Sequence, residues 1–449
     1  MIAKTDYFGT REIYYKENEN IYFNNLTKSI TETGFSDYSK EGICSFFTFR
    51  YPILANTMFQ GYKKLDNGTS YINNSTSYYW KPTFENNSVP FDDALLMCEN
   101  LLIESLNELI QYKKRIGITL SGGLDSSLIL ALCKKHFPNK EFYTYSCGFY
   151  GDDEFEYSRL VAKQFSDKHY EVVLNKDDFI GNNSILSSLI KQKCSPLHPN
   201  ELGLAKIELQ AKLDLCDIVL SGEGADDIFG GYGKNLRMYL NYSGTTDNFY
   251  KYILDEYRYF SIDKIKKLIK PKYLINDLDL LESVFQEDEC PDNIENQMFY
   301  FIQRIHTPGL IQRGTNALKY SNFEPAFPFI YPKLVNFVNS LPFDYKVHWN
   351  TDVATTNLKC LSYRDISEVY DTPKFILKKL AEKHLPHSII YRKKYGFPVP
   401  FEKWLNTLEH YSLDKEVFTS NDISYFSGWE KFMIINLNTF ITIFNKYKS

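Results

Sequence analysis

Two periodicities alternate along the middle of the chain. Apolar runs of strand length lie at residues 115–120, 141–149, 169–174 and 216–220. Helical spacing of apolar residues is found after Ser127, around 156–165 and near 201–213. Strands that alternate with helices predict an α/β fold with a parallel sheet covered on both faces. Since ligands of such sheets bind at the carboxyl ends of the strands, the loops that follow the strands are the expected site.

The flanking segments have different patterns. Residues 1–88 contain short alternating runs, such as 45–51 and 76–80, and turn-forming residues such as Asp66-Asn67-Gly68, which predict a small β-rich domain. A linker at 85–90 leads into a predicted helix at 91–112, whose apolar face carries positions 95, 96, 101, 102, 106 and 109. Beyond residue 235 the pattern is mostly helical and aromatic, and it ends in a predicted amphipathic helix near 429–446.

Composition narrows the class of protein. The 449 residues suffice for two or three domains, and 43% hydrophobic with 24% charged residues is ordinary for a soluble protein. The net charge of -5 argues against a nucleic-acid partner, which favours a basic face. No apolar run reaches bilayer length and the N-terminus lacks the apolar core of a signal peptide, so a cytoplasmic protein without a membrane partner is expected.

Cysteines and histidines do not indicate a metal or disulfide framework. The eight cysteines form no Cys-x-x-Cys pair, which fits reduced, packed thiols. His384 and His387 are separated by Leu-Pro, and the proline favours a helix end over a metal site.

Two glycine-containing loops follow predicted strands. The first is Ser121-Gly122-Gly123-Leu124-Asp125-Ser126-Ser127, whose glycines would let backbone N–H groups approach phosphate at a helix N-terminus. A tight turn alone also explains a Gly-Gly pair. The second loop, 221–232, places Asp226 at the equivalent position of another strand. Two carboxylates beside phosphate would repel it unless a cation joined them, so the pair favours Mg²⁺ bound to ATP phosphates.

A third segment, "YRKKYGFPVPFEKWL" at 391–405, is basic and closed by prolines. Such a segment is either an exposed surface loop or a lysine that folds over the site to stabilise developing negative charge.

The segments "LSGGLDSS", "LSGEGADDIFGGY" and "RKKYGFPVPFEKWL", in this order, closely resemble the synthetase domain of the asparagine synthetase family. The resemblance runs from about Phe91 to the terminal helix and extends to β-lactam synthetases and lasso-peptide macrolactam cyclases. It implies a sheet of the adenine nucleotide α-hydrolase (pyrophosphate-loop) type with a helical C-terminal part, and an ATP-dependent ligase domain at 91–449.

The resemblance also implies roles for individual residues. Glu223 would face an acyl-adenylate, Lys394 would be the late catalytic lysine with Lys374 as supporting charge, and Asp125 and Asp226 would bind Mg²⁺. The residues implied in ATP binding are Leu120, Ser121, Gly122, Gly123, Asp125, Ser126, Ser127, Cys147, Ser221 and Gly222.

Two departures from the family pattern change what is expected. Residues 1–88 resemble the end of a glutamine amidotransferase domain, but residue 2 is Ile2 and the first cysteine is Cys44, so a truncated domain without the N-terminal nucleophile is expected. Where the family usually has Asp, Arg, Arg and Asp, this chain has Thr315, Asn316, Ala326 and Tyr331. Either structural salt bridges have been replaced by neutral packing, or the pocket is remodelled for a substrate other than aspartate.

The expected function is an amide-forming ligase that converts ATP to AMP and pyrophosphate, activates a small-molecule or peptide carboxylate and transfers it to an amine or ammonia, without glutaminase activity. An intramolecular cyclase is the first alternative. A tRNA-modifying pyrophosphate-loop enzyme and an inactive ATP-binding scaffold are others. A homodimer and a partner protein that delivers substrate both stay open.

Overall fold

The computed structural model describes most of the 449-residue chain, namely residues 2–17, 19, 22–72, 75–85, 87–151, 154–180, 184–244, 248–350, 358, 361–393, 396, 397 and 399–449. The strands are β1 Ile2–Lys4, β2 Tyr14–Lys16, β3 Tyr22–Phe23, β4 Tyr62–Lys64, β5 Thr69–Ile72, β6 Ser75–Tyr78, β7 Arg115–Thr119, β8 Glu141–Phe149, β9 Lys168–Leu174, β10 Ile218–Leu220, β11 Val347–Trp349 and β12 Asp371–Pro373.

The helices precede, separate and follow these strands. They are α1 Leu26–Thr33, α2 Lys40–Phe49, α3 Phe91–Ile110, α4 Leu124–His136, α5 Phe155–Phe165, α6 Lys176–Phe179, α7 Ser184–Lys193, α8 Pro199–Leu213, α9 Ala225–Phe229, α10 Gly233–Leu236, α11 Phe249–Tyr257, α12 Ile262–Leu268, α13 Leu278–Phe285, α14 Ile294–Phe301, α15 Thr307–Tyr320, α16 Pro332–Asn339, α17 Phe343–Lys346, α18 Tyr363–Ile366, α19 Phe375–Ala381, α20 His387–Ile390, α21 Phe401–Leu405 and α22 Gly428–Phe444. A π-helical turn, Ile302–His306, joins α14 to α15.

The central sheet is parallel, as predicted. Its strand order is β10-β7-β8-β9, with Ile116 paired to Ile218 on one side and to Phe142 on the other. Consecutive residues 116–119 of β7 are buried, which shows that both faces of the sheet are covered. Helices α4, α5 and α8 pack against these strands, so the carboxyl ends of β7, β8 and β10 are left to form a site.

The N-terminal segment forms two small antiparallel sheets, in the orders β1-β5-β6 and β3-β2-β4. The predicted turn is present, since Gly68 has a φ of +68° directly before β5. The strand predicted at 45–51 is wrong, because residues 45–49 belong to α2. In that run adjacent positions are apolar, and Phe46 and Phe47 are both fully buried. A helix that other elements surround on all sides can bury adjacent apolar residues in this way.

Apolar residues of the N-terminal segment share their cores with the rest of the chain. Phe47 packs edge-on against Phe260 at 4.9 Å between ring centroids, and Phe59 packs against Phe440 of α22 at 5.5 Å. Phe49 joins a further cluster with residues of α14. Among the described residues, 2–85 therefore have no separate core, and the division of the chain near residue 88 stays an interpretation.

Two helices differ from the prediction in which of their faces are buried. In α3, Leu95, Leu102 and Leu106 are buried as expected, but Leu96 is 54% exposed and Cys98 takes its place in the core. Helix α22 is buried on nearly all sides and not amphipathic, because N-terminal and C-terminal elements pack around it. Within the described ranges, none of the helices is both long and apolar enough to cross a membrane.

Candidate active site

A cavity of about 1380 Å³ opens at the carboxyl ends of β7, β8 and β10. Both glycine-containing loops line it, as the parallel sheet predicts. The predicted site residues that line it are Leu120, Ser121, Gly123, Asp125, Ser126, Cys147, Ser221, Gly222, Glu223, Asp226 and Lys374. Gly122 and Ser127 do not line it, and Lys394 lies outside the described residues.

The first loop is held in a fixed shape by its own side chains. The Ser121 amide donates a hydrogen bond to Ser126 Oγ at 3.1 Å, and the Gly123 amide donates one to Ser121 Oγ at 3.2 Å. Gly122 has a φ of +66°, and a Cβ atom there would lie 2.4 Å from the backbone nitrogen of Ser158. Only glycine fits, so Gly122 shapes the loop from behind and does not face the cavity.

The side chains of Ser127 and Cys147 are buried in the protein and offer a ligand little to bind. Ser127 is fully buried in α4, and its Oγ has no hydrogen-bond partner in the part of the chain that the structure describes. Cys147 lines the cavity at the end of β8, and burial raises the pKa of its thiol to about 12. The thiol is therefore neutral and unreactive.

Asp125 and Asp226 converge on one cationic nitrogen. Lys374 Nζ lies 2.7 Å from both carboxylate oxygens of Asp125 and 2.8 Å from Oδ1 of Asp226. Lys374 is 6% exposed and has a left-handed backbone, with φ +56°, between β12 and α19. A Cβ atom on Gly231 would lie 1.9 Å from Asp226 Oδ1 and 2.2 Å from Lys374 Cε, so glycine permits this approach.

This arrangement fits a divalent cation. Three carboxylate oxygens, from the helices α4 and α9 that follow adjacent strands, already surround one positive charge. Oxygen ligands of this kind are those that Mg²⁺ prefers. No group of three or more His, Cys, Asp and Glu side chains that could hold a metal occurs among the described residues, so phosphate oxygens or water would complete the shell. Asp125 and Asp226 would hold Mg²⁺ where Lys374 Nζ now lies.

Arg392 is a site residue that the sequence interpretation missed. Its Nε donates to the carbonyl oxygen of Gly122 at 3.1 Å, its Nη2 donates to that of Ser121 at 3.5 Å, and its Nη1 pairs with Glu154. Arg392 thus holds the back of the first loop. Arg392 belongs to the basic run at 391–394, in which the family motif points to Lys394.

Away from Asp125, Asp226 and Lys374, the cavity is lined by a series of polar side chains in contact with one another. Arg313 Nε lies 3.2 Å from Glu223 Oε1, Arg313 Nη1 lies 3.4 Å from His198 Nδ1, and His198 Nε2 lies 2.8 Å from Arg50 Nη1. Burial, Arg313 and Arg50 hold the pKa of His198 well below its usual value. Burial and the same arginines lower the pKa of His306 to about 3, so both histidines are neutral at pH 7.

Four aromatic residues line this end, namely Tyr232, Tyr257, Tyr259 and Trp429. No sequence pattern pointed to them, because they come from separate helices and loops that the fold brings together.

The four residues that depart from the family pattern lie outside the cavity. Asn316 Nδ2 donates to the buried Glu201 at 3.0 Å, and Lys193 pairs with the same carboxylate at 2.6 Å. Thr315 and Ala326 are buried behind the site, and the Tyr331 hydroxyl donates to carboxylates of α3. None of the four side chains lines the cavity, and neutral packing beneath the site agrees with their contacts, while the identity of the acid stays a prediction.

The histidine pair near the C-terminus has structural partners. His384 Nε2 lies 2.8 Å from Glu99 Oε1, and the ring of His387 stacks on Tyr391 at 4.3 Å between centroids.

A parallel sheet with two glycine loops and paired carboxylates at its carboxyl end defines an α/β protein of the pyrophosphate-loop type. The family model described as asparagine synthase matches residues 97–431, and the chain belongs to that family.

Its curated relatives are distant and longer. The chain is 22% identical over 441 residues to asparagine synthetase [glutamine-hydrolyzing] 1 of Bacillus subtilis (strain 168), which covers 89% of this chain and 66% of that protein. It is 24% identical over 347 residues to asparagine synthetase [glutamine-hydrolyzing] 3 of the same strain. That match covers 71% of this chain and 51% of the relative. The matches thus span between about half and two thirds of these relatives.

Among solved structures, NMN synthetase from Francisella tularensis overlaps with 14% identity and a TM-score of 0.23, over 32% of this chain and 59% of that one. This overlap is too small to bear on fold or function.

Proposed function

We propose that the chain is an ATP-dependent amide ligase. A substrate carboxylate attacks the α-phosphorus of ATP, the bond to the β-phosphate oxygen breaks, and pyrophosphate leaves. An amine or ammonia then attacks the acyl carbon, loses a proton and displaces AMP. The observation that supports this reaction is the convergence of Asp125 and Asp226 on one cation position beside the two glycine loops.

The loops would bind the nucleotide. The shape of residues 121–123 is fixed before a ligand arrives, so their backbone N–H groups can meet phosphate oxygens without reorganisation. Leu120 and Cys147 line the wall at the ends of β7 and β8, where the adenosine would lie, with Ser221 and Gly222 opposite. Mg²⁺, when bound, supplies charge stabilisation to the phosphates.

Two lysines would act on the leaving pyrophosphate. Lys374, which now pairs with the two carboxylates, would be a cation beside the phosphates once a metal takes its place. Lys394 is proposed to act there and at the tetrahedral step, on the strength of its place in the family motif. Glu223 lines the cavity next to Arg313 and is the carboxylate proposed to face the acyl-adenylate.

The size of the cavity supports a second candidate. About 1380 Å³ exceeds the range of roughly 300–1000 Å³ that is usual for small-molecule pockets. Such a cavity has room for ATP and a further substrate, and a substrate that carries both the acid and the amine would make the same chemistry an intramolecular cyclisation. Formation of a product without any added amine distinguishes it.

The decisive experiment identifies the nucleotide product. The protein is incubated with ATP, Mg²⁺, ammonium chloride and a panel of mono- and dicarboxylic acids, and nucleotides are separated by chromatography. We expect AMP and pyrophosphate, and ADP with phosphate would contradict the proposal. Asp125→Asn and Asp226→Asn should each abolish turnover. Asp217→Asn, at the opposite end of the sheet, is the matched control and should leave it unchanged.

Nucleotide binding is measured separately, since it needs no acid. Calorimetry with α,β-methylene-ATP and Mg²⁺ should show binding to the wild type and to Asp217→Asn, and weaker binding to Asp125→Asn. Equal affinities in all three proteins would remove Asp125 from the nucleotide site.

A further inference from the structure

Arg237 is a fully buried arginine that does not line the cavity. It follows α10, the short helix that begins directly after the second glycine-containing loop. Its Nε lies 2.8 Å from Oδ2 of Asp371, and its Nη2 donates to the carbonyl oxygen of Val347 at 3.0 Å. A buried charge needs such partners, because its removal from water is costly. Arg237 thus ties the end of α10 to strands β11 and β12.

The buried pair of Arg237 and Asp371 is fully engaged within the protein. The third guanidinium nitrogen, Nη1, donates to the Tyr239 hydroxyl at 3.2 Å, and the central carbon lies 3.6 Å from the centroid of the Trp349 ring. The second carboxylate oxygen of Asp371, Oδ1, accepts the backbone N–H of Glu368 at 2.8 Å. Each nitrogen of the guanidinium and each oxygen of the carboxylate therefore has a partner in the protein, so the pair acts on the site through the backbone.

Strand β12 leads directly to Lys374. Asp371 is its first residue, Pro373 is its last, and Lys374 follows. In the antiparallel ladder Pro373 is paired with Val347, whose carbonyl oxygen Arg237 binds. The two contacts of Arg237 therefore fall at both ends of β12. Lys374 has a left-handed φ of +56°, which its Cβ atom disfavours, so the surrounding structure has to hold the backbone in this conformation.

The segment between the second loop and Arg237 also packs on β12. A Cβ atom on Gly233, the first residue of α10, would lie 2.6 Å from Pro373 Cγ, so glycine permits the helix to approach the residue before Lys374. The loop that carries Asp226 and the strand that ends at Lys374 are thus packed together at Pro373 and tied by the guanidinium of Arg237.

We propose that Arg237 and Asp371 are positioning residues of the ligase, which fix β12 and thereby hold the ammonium of Lys374 in the cavity. A lysine side chain is long and flexible, so its ammonium reaches a defined point only when the backbone that carries it is fixed. The consequence for the reaction rests on the proposed function, in which Lys374 acts beside the phosphates. The position of the lysine is a property of the fold and is measured without any reaction.

Acetylation of individual lysines tests the position of Lys374. Acetic anhydride reacts with accessible, deprotonated amines, and mass spectrometry gives the rate at each lysine. Lys374 is buried and paired with two carboxylates, so it should react slowly in the wild type. Arg237→Lys keeps the charge but lacks the planar fork that meets both partners. We expect Lys374 to react about tenfold faster in this variant, the scale of one charged hydrogen bond, relative to the exposed Lys379 of α19.

Two controls separate a local shift from general unfolding. Arg304→Lys makes the same change at another buried arginine that pairs with carboxylates, and it should leave the rate at Lys374 unchanged. Lys193 is also buried and paired, in a different part of the fold, and should stay slow in every variant. Asp371→Asn, which has nearly the same shape as the wild type, replaces Arg237→Lys if the latter fails to fold.

The outcomes separate this inference from the proposed function. An unchanged rate at Lys374 in Arg237→Lys, or an equal rise at Lys193, would overturn it. AMP formation at saturating ATP should fall by about 10²-fold in Arg237→Lys, the cost of misplacing a group by about 1 Å, and stay near the wild-type rate in Arg304→Lys. A normal rate in Arg237→Lys would overturn the role in the reaction. Since labelling needs no substrate, faster labelling of Lys374 alone supports the positioning of this lysine even if the wild type forms no AMP.

Discussion

The ammonium of Lys374 lies 2.7 Å from both carboxylate oxygens of Asp125, so the lysine occupies the position that fits a metal ion. The same nitrogen contacts Asp226. One cation therefore holds together two carboxylates that would otherwise repel each other, and a metal ion at the same position would displace it. Lysine and Mg²⁺ are thereby coupled, which has a measurable consequence for stability.

Lys374→Met should destabilise the protein in the absence of Mg²⁺. Removing one partner of a buried ion pair leaves uncompensated charge, and here the expected loss is roughly 3 kcal/mol. Mg²⁺ should raise the melting temperature of the variant more than that of the wild type, because it restores the missing charge without competition. Differential scanning fluorimetry with and without MgCl₂ measures both effects.

Lys379→Met is the control for that experiment. Lys379 lies on α19, the helix that follows Lys374, and pairs with Glu382 at 2.9 Å, but both side chains are exposed. Its removal should cost less than about 1 kcal/mol and leave the response to Mg²⁺ unchanged. If the two variants respond alike to Mg²⁺, Lys374 does not occupy the metal position.

Arg392→Met should weaken nucleotide binding. Arg392 holds the carbonyl oxygens of Ser121 and Gly122, and its loss frees the loop whose amides are proposed to meet phosphate. Affinity for α,β-methylene-ATP should fall by about tenfold, the scale of one charged hydrogen bond. Arg159→Met, which removes an exposed pair with Glu171, should bind like the wild type. Unchanged affinity in Arg392→Met would show that the contact of Arg392 with the loop is structural and does not support nucleotide binding.

Much of the fold was accessible from the sequence where local patterns were strong. Strand β8 has the predicted bounds at 141–149, and the parallel order follows from the alternation of strands and helices. The run at 45–51 was not accessible, because a buried helix and a strand share apolar composition and only the surrounding packing decides between them.

The site was predictable to the extent that its residues follow strands. Asp125 and Asp226 lie in the first turns of the helices that follow two adjacent strands, so the sheet brings them together. Arg50 and His198 have no such relation, since one ends a helix of the N-terminal segment and the other caps α8. Their contact depends on tertiary packing, and no spacing in the sequence reports it.

Lys394→Ala should lower the rate of AMP formation by at least about 10²-fold, the scale seen when one preorganised charge donor is removed from a reaction site. The fold should be unaffected, as judged by the melting temperature. Lys403→Ala removes an exposed lysine of α21 and serves as the matched control. A near-normal rate in Lys394→Ala would make the basic segment an ordinary surface loop.

Glutamine should not serve as the nitrogen donor of this chain. Cys44 is fully buried, and burial raises the pKa of its thiol to about 11, so it is not an available nucleophile. Ammonium chloride should support turnover, whereas glutamine should release no glutamate in an enzyme-coupled assay. Glutamate release that survives Cys44→Ala would show that another residue hydrolyses glutamine, and release that is lost in this variant would identify Cys44 as the nucleophile.

The last prediction concerns a buried lysine that does not line the cavity. Lys346 is fully buried, with its Nζ 4.4 Å from the centroid of the Phe299 ring and without a hydrogen-bond partner among the residues that the structure describes. Burial lowers the pKa of Lys346 to about 7, whereas an unfolded chain keeps the ordinary value of about 10.4. Between these values the unfolded state binds more protons, so this lysine makes the free energy of unfolding rise with pH.

Lys346→Met should therefore stabilise the protein most below pH 7, where the folded state carries the full cost of a buried charge, and the gain should shrink as the pH approaches about 10. Asp227 has the opposite effect on the free energy of unfolding. Burial raises the pKa of its carboxyl group to about 7, so between about pH 4 and pH 7 the folded state binds more protons and this residue makes the free energy of unfolding fall as the pH rises. The difference in melting temperature between the variant and the wild type, measured from about pH 6 to about pH 10, cancels the Asp227 contribution, which both proteins share. The exposed Lys163→Met should give a flat difference. A difference for Lys346→Met that is equally flat would show that the lysine is neutral, or paired, across the whole range.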